Sequence, residues 1–357
     1  MDINYDRLFR FMCKNGYLND VKKLYNLKPD IDISADNEYA FRESCRYGHL
    51  DLAKWLLEIK SDIDISAYHE EAFRWSCENG HLDVVKWLLE IKSDIDISGY
   101  HEGAFRASCQ YGHLDVAKWL LETKPDIDIS ARDEEAFIGS CGNGHLDVAM
   151  WLLKIKPTID ISYHNERAFR WSCEKGHLDV AKWLLKIKPD IDISADNEEA
   201  FSFSCIIGHL NVAKWLLETK PDIDISADNE DAFRWSCGNG HLDVAKWLLQ
   251  IKPTINISST IDINYINDIN NQKVIKWLLS LNNHGLTYKI IDGEYKLYKE
   301  LKTIKKENIV FSDKCCVCLE EANCLTECNH EICIDCLNRL KTDKCPLCRK
   351  AFKFCYV

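Results

Sequence analysis

One unit of 32 residues recurs through most of this chain and constrains its fold more than any other feature of the sequence. Its clearest copy is AFRWSCENGHLDVVKWLLEIKSDIDIS, which starts at Ala72. A fixed period of this length predicts a repeat architecture in which each copy packs against its neighbours. Three residues keep the period without a slip: Phe41, Phe73, Phe105, Phe137, Phe169, Phe201 and Phe233; Gly48, Gly80, Gly112, Gly144, Gly176, Gly208 and Gly240; and Trp55, Trp87, Trp119, Trp151, Trp183, Trp215 and Trp247.

The first half of each copy is predicted to form a short helix. In the clearest copy, Ala72, Phe73, Ser76 and Cys77 are spaced so that they share one small and apolar helix face. Gly80 is expected to end this helix, because glycine readily adopts the left-handed conformation that follows many helix ends.

The second half of the copy predicts another helix and then an extended segment. Leu82, Val85, Leu88 and Leu89 form one apolar stripe along LDVVKWLLEI, which is expected to stop near Lys-Pro or Lys-Ser. The following DIDIS alternates isoleucine with aspartate, so we expect an extended segment with the isoleucines pointing inward. Because neither helix can bury its apolar face alone, the copies are expected to stack as a solenoid.

The period also sets the expected domain boundaries. Residues 34–257 hold seven copies of 32 residues, and residues 258–285 are expected to form a degenerate C-terminal capping repeat. Residues 1–33 are expected to form a degenerate N-terminal capping repeat, in which Lys23 replaces the tryptophan. Degenerate terminal copies are typical of repeat proteins, because the outer face of a cap must be polar.

A two-helix unit with GHLDV-K-LL and a following D-I-D segment resembles the ankyrin repeat, over roughly residues 1–285. The first half departs from that family, which has T-P-L-H where this chain has E-A-F-R at Glu71 to Arg74, and the unit is one residue shorter than usual. The resemblance implies a helical array that binds proteins. The close similarity of the copies, with flanks rich in Asn, Ile and Lys, resembles the ankyrin arrays of giant DNA viruses.

A cysteine recurs in each first helix, and a histidine follows each recurring glycine. We expect the cysteines to be small core residues, because free cysteine packs as a small hydrophobe. Equivalent atoms of stacked helices lie about 8–10 Å apart, and a disulfide bridges Cα atoms only up to about 7 Å. The histidines, from His49 to His241, are expected to be hydrogen-bonding turn residues. The cysteines are Cys45, Cys77, Cys109, Cys141, Cys173, Cys205 and Cys237.

The first-helix position two residues before that cysteine varies between copies, whereas the core positions do not. In ankyrin arrays the matching positions face the groove where partners bind, so the resemblance implies a binding surface with aromatic anchors. Sequence drift on a solvated face is the alternative. The candidate groove residues are Trp75, Trp171, Phe203 and Trp235 at this position, and Tyr47 and Tyr111 at a second variable position two residues after the cysteine. Turn residues such as Asp196, Asn197 and Glu198 are expected at the rim.

The C-terminal segment carries cysteine and histidine at the spacing of zinc ligands. Only one residue separates Cys328 from His330, which leaves little room for a normal zinc knuckle that shares one metal with the neighbouring pair. Alternating pairs solve this geometry and give two tetrahedral zinc sites. Cys315, Cys318, Cys333 and Cys336 would bind one zinc ion, and Cys328, His330, Cys345 and Cys348 the other; Cys316, Cys324 and Cys355 do not fit the spacing.

This ligand order resembles the RING finger with seven cysteines and one histidine, over residues 312–351. The resemblance implies a ubiquitin ligase that docks a ubiquitin-conjugating enzyme and ubiquitin without a catalytic nucleophile of its own. The matching docking residues are Val317, Leu340, Pro346 and Arg349, although many members carry Trp at the position of Leu340. Ordinary packing of a small zinc module is the alternative role for these four residues.

Two segments flank the cysteine-rich module. Residues 286–311 are rich in lysine and are expected to form either a helix or a flexible linker. Residues 352–357 form an apolar tail, which in some RING ligases supports dimerisation.

Charge and hydropathy exclude several classes of function. The net charge of −12 argues against a nucleic-acid or membrane-surface binder. No signal peptide and no membrane-spanning run is recognisable, so we expect an intracellular protein, cytoplasmic or nuclear, in the host cell if it is viral.

The sequence therefore predicts a mainly α fold: an ankyrin-like helical solenoid followed by a small zinc-bound α+β RING domain. The predicted function is a ubiquitin-protein ligase with an unidentified protein substrate. The alternative is a non-enzymatic adaptor whose zinc module mediates interaction or dimerisation.

Overall fold

The computed structural model describes residues 4–255, 257, 272–281, 286–291, 294–299, 302–304, 324–326, 331–332 and 354–356. The chain divides into two compact units, Met1–Ala232 and Phe233–Val357. The repeat array was expected to end at residue 257, but this division falls inside the seventh copy. Copies of a repeat array contact mainly their neighbours, so the array has no single core that would fix its boundary.

Pairs of helices repeat along the described chain, which confirms the mainly helical repeat fold. The described residues before residue 34 form one complete helix pair, α1 and α2. The helices are α1 Tyr5–Lys14, α2 Leu18–Leu27, α3 Ala35–Arg46, α4 Leu50–Ile59, α5 Ala67–Glu78, α6 Leu82–Ile91, α7 Gly99–Gln110, α8 Leu114–Thr123, α9 Ala131–Gly142, α10 Leu146–Ile155, α11 Tyr163–Glu174, α12 Leu178–Ile187, α13 Ala195–Ile207, α14 Leu210–Thr219, α15 Ala227–Gly238, α16 Leu242–Ile251 and α17 Gln272–Ser280.

The first helix of each copy buries the face that its spacing predicts. Ala72, Phe73, Ser76 and Cys77 are all buried in α5, and Gly80 follows the helix with φ +78°. The Ser76 hydroxyl donates to the carbonyl of Ala72 (2.7 Å) and to that of Cys45 in the preceding copy (3.1 Å). This serine therefore satisfies its own hydroxyl while linking two repeats.

The second helix packs on a slightly different face from the predicted one. In α6, Val84, Val85 and Leu88 are buried, whereas Leu82 and Leu89 are only half-buried. The predicted stripe was therefore wrong at its two ends, because this helix also packs through Val84 and rotates the stripe. The DIDIS segments have no strand pairing in the described repeats. Their first isoleucine is buried as expected, as Ile31 and Ile63 are, whereas the second is buried in some copies, such as Ile33, and half-buried in others, such as Ile65.

Each first helix of the seven copies opens with three consecutive residues in the left-handed conformation. In α3 these are Asp36, Asn37 and Glu38, with φ between 55° and 62°. Left-handed backbone costs most residues about 1–2 kcal/mol each, but Asn, Asp and His adopt it more readily. The middle position of the turn carries only those types: Asn37, His69, His101, Asp133, Asn165, Asn197 and Asn229.

An arginine of the same helix holds this left-handed turn in four of the copies. In α3, Arg42 Nε donates to the carbonyl of Asn37 (2.8 Å) and its terminal nitrogen to that of Asp36 (3.0 Å). The same guanidinium forms an ion pair with Glu71 of the next copy. Arg74, Arg106 and Arg170 make the equivalent pair of bonds to the carbonyls of their own turns.

The glutamate that ends the turn points inward. Glu198 is only 8% exposed, its carboxylate accepts from the Ser194 hydroxyl (2.7 Å), and it also accepts from the Asp224 amide of the next copy (3.2 Å). The interpretation of Glu198 as a solvent-exposed rim residue was therefore wrong, because its carboxylate satisfies buried donors. Asp196 and Asn197 are exposed, as a rim requires.

The recurring tryptophan packs between copies, as predicted. Phe41 lies 6.1 Å from Trp87 of the next copy, measured between ring centroids. The pairs Phe105–Trp151, Phe137–Trp183 and Phe169–Trp215 repeat this contact. The recurrence of phenylalanine and tryptophan every 32 residues is thus explained by the stacking of neighbouring copies.

The described residues from Leu286 onward are strands, so residues 286–291, 294–299 and 302–304 do not form the helix that was one of the two predicted forms of this segment. β1 Leu286–Ile291 and β2 Glu294–Lys299 pair antiparallel in a hairpin, and α17 contacts both strands. Their register leaves two residues between them, Asp-Gly in the sequence, which is a strong two-residue hairpin signal. Tyrosine, threonine and isoleucine in these segments also favour strands over helix.

A second sheet gathers short strands from the linker, the cysteine-rich module and the tail. Its order is β3 Lys302–Ile304, β6 Phe354–Tyr356, β4 Cys324–Thr326 and β5 Glu331–Ile332. β6 pairs parallel with β3 and antiparallel with β4. The apolar tail therefore pairs within its own chain.

Several predicted features lie outside the described residues. Most of the C-terminal capping repeat (258–285) does, although α17 is described within it. None of the helices in the described part of the chain is long and apolar enough to cross a bilayer.

Candidate protein-binding groove

The aromatic residues predicted to form a binding groove all belong to the first helices or their C-terminal ends. Tyr47 and Tyr111 are exposed, at 38% and 47%. Trp75, Trp171, Phe203 and Trp235 are half-buried. Partial exposure suits residues that anchor a partner, and their role in binding stays a prediction.

Arginine side chains lie over the indole rings of these tryptophans. The guanidinium carbon of Arg46 lies 4.4 Å from the centroid of Trp75, and that of Arg167 lies 4.1 Å from the centroid of Trp171. Such cation–π contacts stabilise a half-exposed indole by about 0.5–1 kcal/mol. The arginines are therefore part of this surface, although only its aromatic residues were predicted from the sequence.

A cavity of about 420 Å³ opens on this surface between α7, α9 and α11. We call it the repeat-four groove, because most of its lining comes from the copy at residues 130–161. Its lining residues are Gln110, Arg132, Asp133, Glu135, Ile138, Gly139, His164, Arg167 and Trp171.

The groove exists because two large side chains of the repeat are missing from α9. Gly139 occupies the position of Trp75 and Trp171 in the aligned copies, and Ile138 occupies that of the turn-holding arginine. Ile138 is 4% exposed, so it forms the floor rather than filling the space. An alignment of the copies indicates such a cavity, because it shows where a small residue replaces the large one of the other copies.

The inter-repeat ion pair is also absent at this step. Arg42, Arg106 and Arg170 each form an ion pair with a glutamate of the following copy, namely Glu71, Glu135 and Glu199. The corresponding residues between copies four and five are Ile138 and Arg167. Arg167 forms no ion pair with any residue that the structure describes.

The carboxylates of the groove already have partners. Glu135 forms an ion pair with Arg106 and lies 3.8 Å from Arg132 Nε. Asp133 lies beside the Tyr163 hydroxyl, and burial together with this carboxylate raises the pKa of Tyr163. Burial lowers the pKa of the Arg106 guanidinium, and the Glu135 charge opposes that shift. The lining thus carries two guanidinium groups and two carboxylates, and one of these carboxylates is already paired with Arg106 from outside the lining. The net charge of the whole chain is −12.

Comparison with known families identifies the repeats. Family models described as "Ankyrin repeats (3 copies)" match residues 9–99 and 104–197, and one described as "Ankyrin repeats (many copies)" matches residues 208–249. This chain belongs to the ankyrin-repeat family. No curated protein matches it.

Ankyrin repeats mediate protein–protein interaction. The partners of this ankyrin-repeat protein are therefore, in general, other proteins. The match spans copies whose first half lacks T-P-L-H, including the E-A-F-R of Glu71 to Arg74. The departure from the family pattern is therefore local, and the left-handed turn that it accompanies is accommodated without loss of the repeat.

The cysteines of the ankyrin repeats are core residues, as predicted. Each of the seven is fully buried and free. Burial raises the pKa of every one of these thiols, and it raises that of Cys13 in the capping repeat to about 12. They are neutral at physiological pH and poor nucleophiles, because the thiolate is the reactive form.

The histidines of the ankyrin repeats are turn residues, also as predicted, and they join neighbouring copies. His49 Nε2 lies 3.1 Å from the carbonyl of Lys14 in the preceding copy. A Cβ on Gly16 would lie 2.6 Å from the His49 ring, so only glycine fits there. Burial lowers the pKa of His81, His145 and His177.

The predicted zinc ligands and the docking residues Val317, Leu340, Pro346 and Arg349 lie outside the described residues. The antiparallel strands β4 and β5 flank the segment that carries Cys328 and His330. Seven thiolates and one imidazole are a donor set that suits two tetrahedral zinc ions with no ligand left over.

Proposed function

We propose that this ankyrin-repeat protein is a RING-type ubiquitin-protein ligase. Its repeats would bind a protein substrate, and its C-terminal module would bind a ubiquitin-charged conjugating enzyme. The observation that carries the proposal is the run of eight ligands from Cys315 to Cys348 in the order of a RING finger. The repeat-four groove supports the substrate-binding part, because it adds a charged cavity to a surface with exposed aromatic side chains.

Zinc has a structural role in this proposal. Two zinc ions would bind the eight ligands in alternating pairs, and both would be fully coordinated by protein. A fully coordinated zinc ion has no open position for water. A module of about forty residues buries too little apolar surface to fold alone, so its fold depends on the metal.

The ligase would act by proximity. Val317, Leu340 and Pro346 would form the apolar contact with the conjugating enzyme, and Arg349 would contact ubiquitin and hold the thioester in a reactive pose. The substrate lysine then attacks the thioester carbonyl, an isopeptide bond forms, and the thiol of the conjugating enzyme leaves. The chain itself contributes no nucleophile.

Self-ubiquitination of the purified chain tests this function. With zinc, ubiquitin, activating enzyme and a broad panel of conjugating enzymes, we expect ubiquitin chains on the protein itself. Val317→Ala should reduce them several-fold through lost docking contacts, whereas Val310→Ala, which lies outside the module, serves as the matched control. If no conjugating enzyme supports chain formation, the protein is an adaptor instead.

The adaptor hypothesis keeps the zinc module as an interaction or dimerisation element. Leu340 at the position where many RING fingers carry Trp is the residue that favours it. Under either hypothesis we place the protein inside a cell, in the cytoplasm or nucleus, and of a host cell if its resemblance to the ankyrin arrays of giant viruses reflects its origin.

A further inference from the structure

We infer that the repeat-four groove binds an acidic side chain of a partner peptide, with the carboxylate on Arg167 and Arg132. This inference rests on the substrate-binding role of the repeats proposed above and names the chemistry of the segment bound. It does not depend on the ligase activity of the C-terminal module.

The first observation is the missing carboxylate. At three other steps of the array, a nearly buried arginine meets a glutamate of the next copy, as Arg106 meets Glu135. Between copies four and five, both members of this pair differ, and the glutamate position carries Arg167. Arg167 is half-buried and stacked on Trp171. A partly desolvated guanidinium without a counter-ion attracts a carboxylate more strongly than an exposed one does.

The second observation is the charge of the lining. Arg132 is 60% exposed and reaches Glu135 only at 3.8 Å, and Glu135 is already paired with Arg106. Asp133 lies beside the Tyr163 hydroxyl. The lining holds two guanidinium groups, those of Arg132 and Arg167, and two carboxylates, those of Asp133 and Glu135. Because Arg106, which lies outside the lining, pairs with Glu135, these groups and Arg106 together carry one net positive charge.

The third observation is the shape of the floor. Ile138, the backbone of Gly139 and the face of Trp171 line the cavity where two large side chains are missing. A volume of about 420 Å³ accommodates a carboxylate side chain together with a neighbouring apolar side chain of an extended peptide. The bound segment should therefore place an Asp or Glu beside an apolar residue.

The test is selection of short random peptides displayed on phage against the immobilised full chain, followed by affinity measurement with fluorescent synthetic peptides. We expect the enriched peptides to share an acidic residue next to an apolar one. Arg167→Glu should weaken their binding about tenfold or more, because it replaces attraction by like-charge repulsion. Replacing the acidic residue of the peptide by Lys should restore binding to this variant.

Two further variants separate loss of binding from loss of folding. The double substitution Ile138→Arg with Arg167→Glu rebuilds the arginine–glutamate pair of the other copies, so the chain should fold normally while its own side chain fills the groove and blocks the peptide. Lys154→Glu makes an equivalent reversal of charge at an exposed position of α10 in the same copy. It should change peptide affinity by no more than about twofold, because an exposed charge away from the groove has little effect.

The inference is overturned if the selected peptides are neutral or basic, if none is enriched, or if acidic peptides bind Arg167→Glu as well as the wild type. These results differ from those that would remove the proposed function. Acidic peptide binding without self-ubiquitination would leave the groove assignment intact and remove the ligase, and the reverse result would remove only the groove assignment.

Discussion

The glycine of each Gly-His-Leu motif satisfies two requirements at once. Gly112 has φ +83°, where residues with a side chain are strained. Its Cα also faces the ring of His145 in the next copy, and an added Cβ would overlap that ring. Substitution there would strain the helix end and force two copies apart.

Gly112→Ala is therefore expected to destabilise the protein by about 2 kcal/mol or more, from left-handed strain of about 1–2 kcal/mol and the clash with a ring that is held in place. Gly99→Ala in the same copy is the matched control, because the aligned copies carry Ala at most of the equivalent positions. A Cβ on Gly99 would meet only Asp96, at 3.4 Å or more. Urea unfolding followed by circular dichroism measures both, and equal effects of the two substitutions would contradict this account.

Among the structural elements, the helix–helix turns are expected to make the stability of the protein depend on pH. Burial lowers the pKa of His81, His145 and His177. Below about pH 6.5, these histidines bind more protons in the unfolded chain than in the folded one, because their pKa is lower in the folded state. The free energy of unfolding should therefore fall as the pH drops through the unfolded value of about 6.5, and it should level off below the folded values.

Thermal unfolding between pH 7.5 and pH 5.5 checks this acid response, with an expected lower midpoint at the acid end. The range stays above the ordinary pKa of Asp and Glu, about 4. His145→Asn should flatten the dependence, whereas His101→Asn, which changes an exposed imidazole, is its control. A midpoint that is constant over this range, or a slope that His145→Asn leaves unaltered, would contradict the assignment.

At this same scale, the sequence predicts the elements that strict periodicity specifies. The helix pairs, the glycine stop and the buried cysteines follow from positions that never vary. The left-handed turn could not be predicted from hydrophobic period, because the bonds of Arg42 to its own turn and to Glu71 are tertiary contacts. The hairpin β1–β2 was predicted as a helix or a flexible linker, although its Asp-Gly pair and its tyrosine and isoleucine residues favour a hairpin.

The candidate groove was predicted only in part for a related reason. Trp75 and Trp171 were recognisable as variable large residues. The cavity itself arises where Ile138 and Gly139 are small, and a missing side chain becomes visible only against the neighbours that would surround it. Arg167 could have been noticed from the alignment of copies, since it is the one basic residue at a position that carries Glu in three of the seven copies.

On the scale of the whole molecule, the two proposed activities occupy separate parts of the sequence. The peptide groove is built entirely within copies three to five, and the proposed zinc ligands begin at Cys315. Removing the metal should therefore abolish the ligase activity and leave peptide binding by the groove unchanged. Structural zinc contributes about 10–16 kcal/mol to the folding of small zinc domains, so loss of the metal should unfold the C-terminal module.

Treatment of the full chain with a zinc chelator should abolish self-ubiquitination and preserve most of the helical circular dichroism signal, because none of the helices α1–α16 carries a proposed ligand. Elemental analysis of the intact protein should give two zinc ions per chain. Cys315→Ser should lower this content, because it removes a ligand, whereas Cys316→Ser, one residue away and outside the ligand spacing, should leave it unchanged. A chain with one zinc ion or none would contradict the interleaved sites, and equal loss of metal from both variants would contradict the ligand assignment.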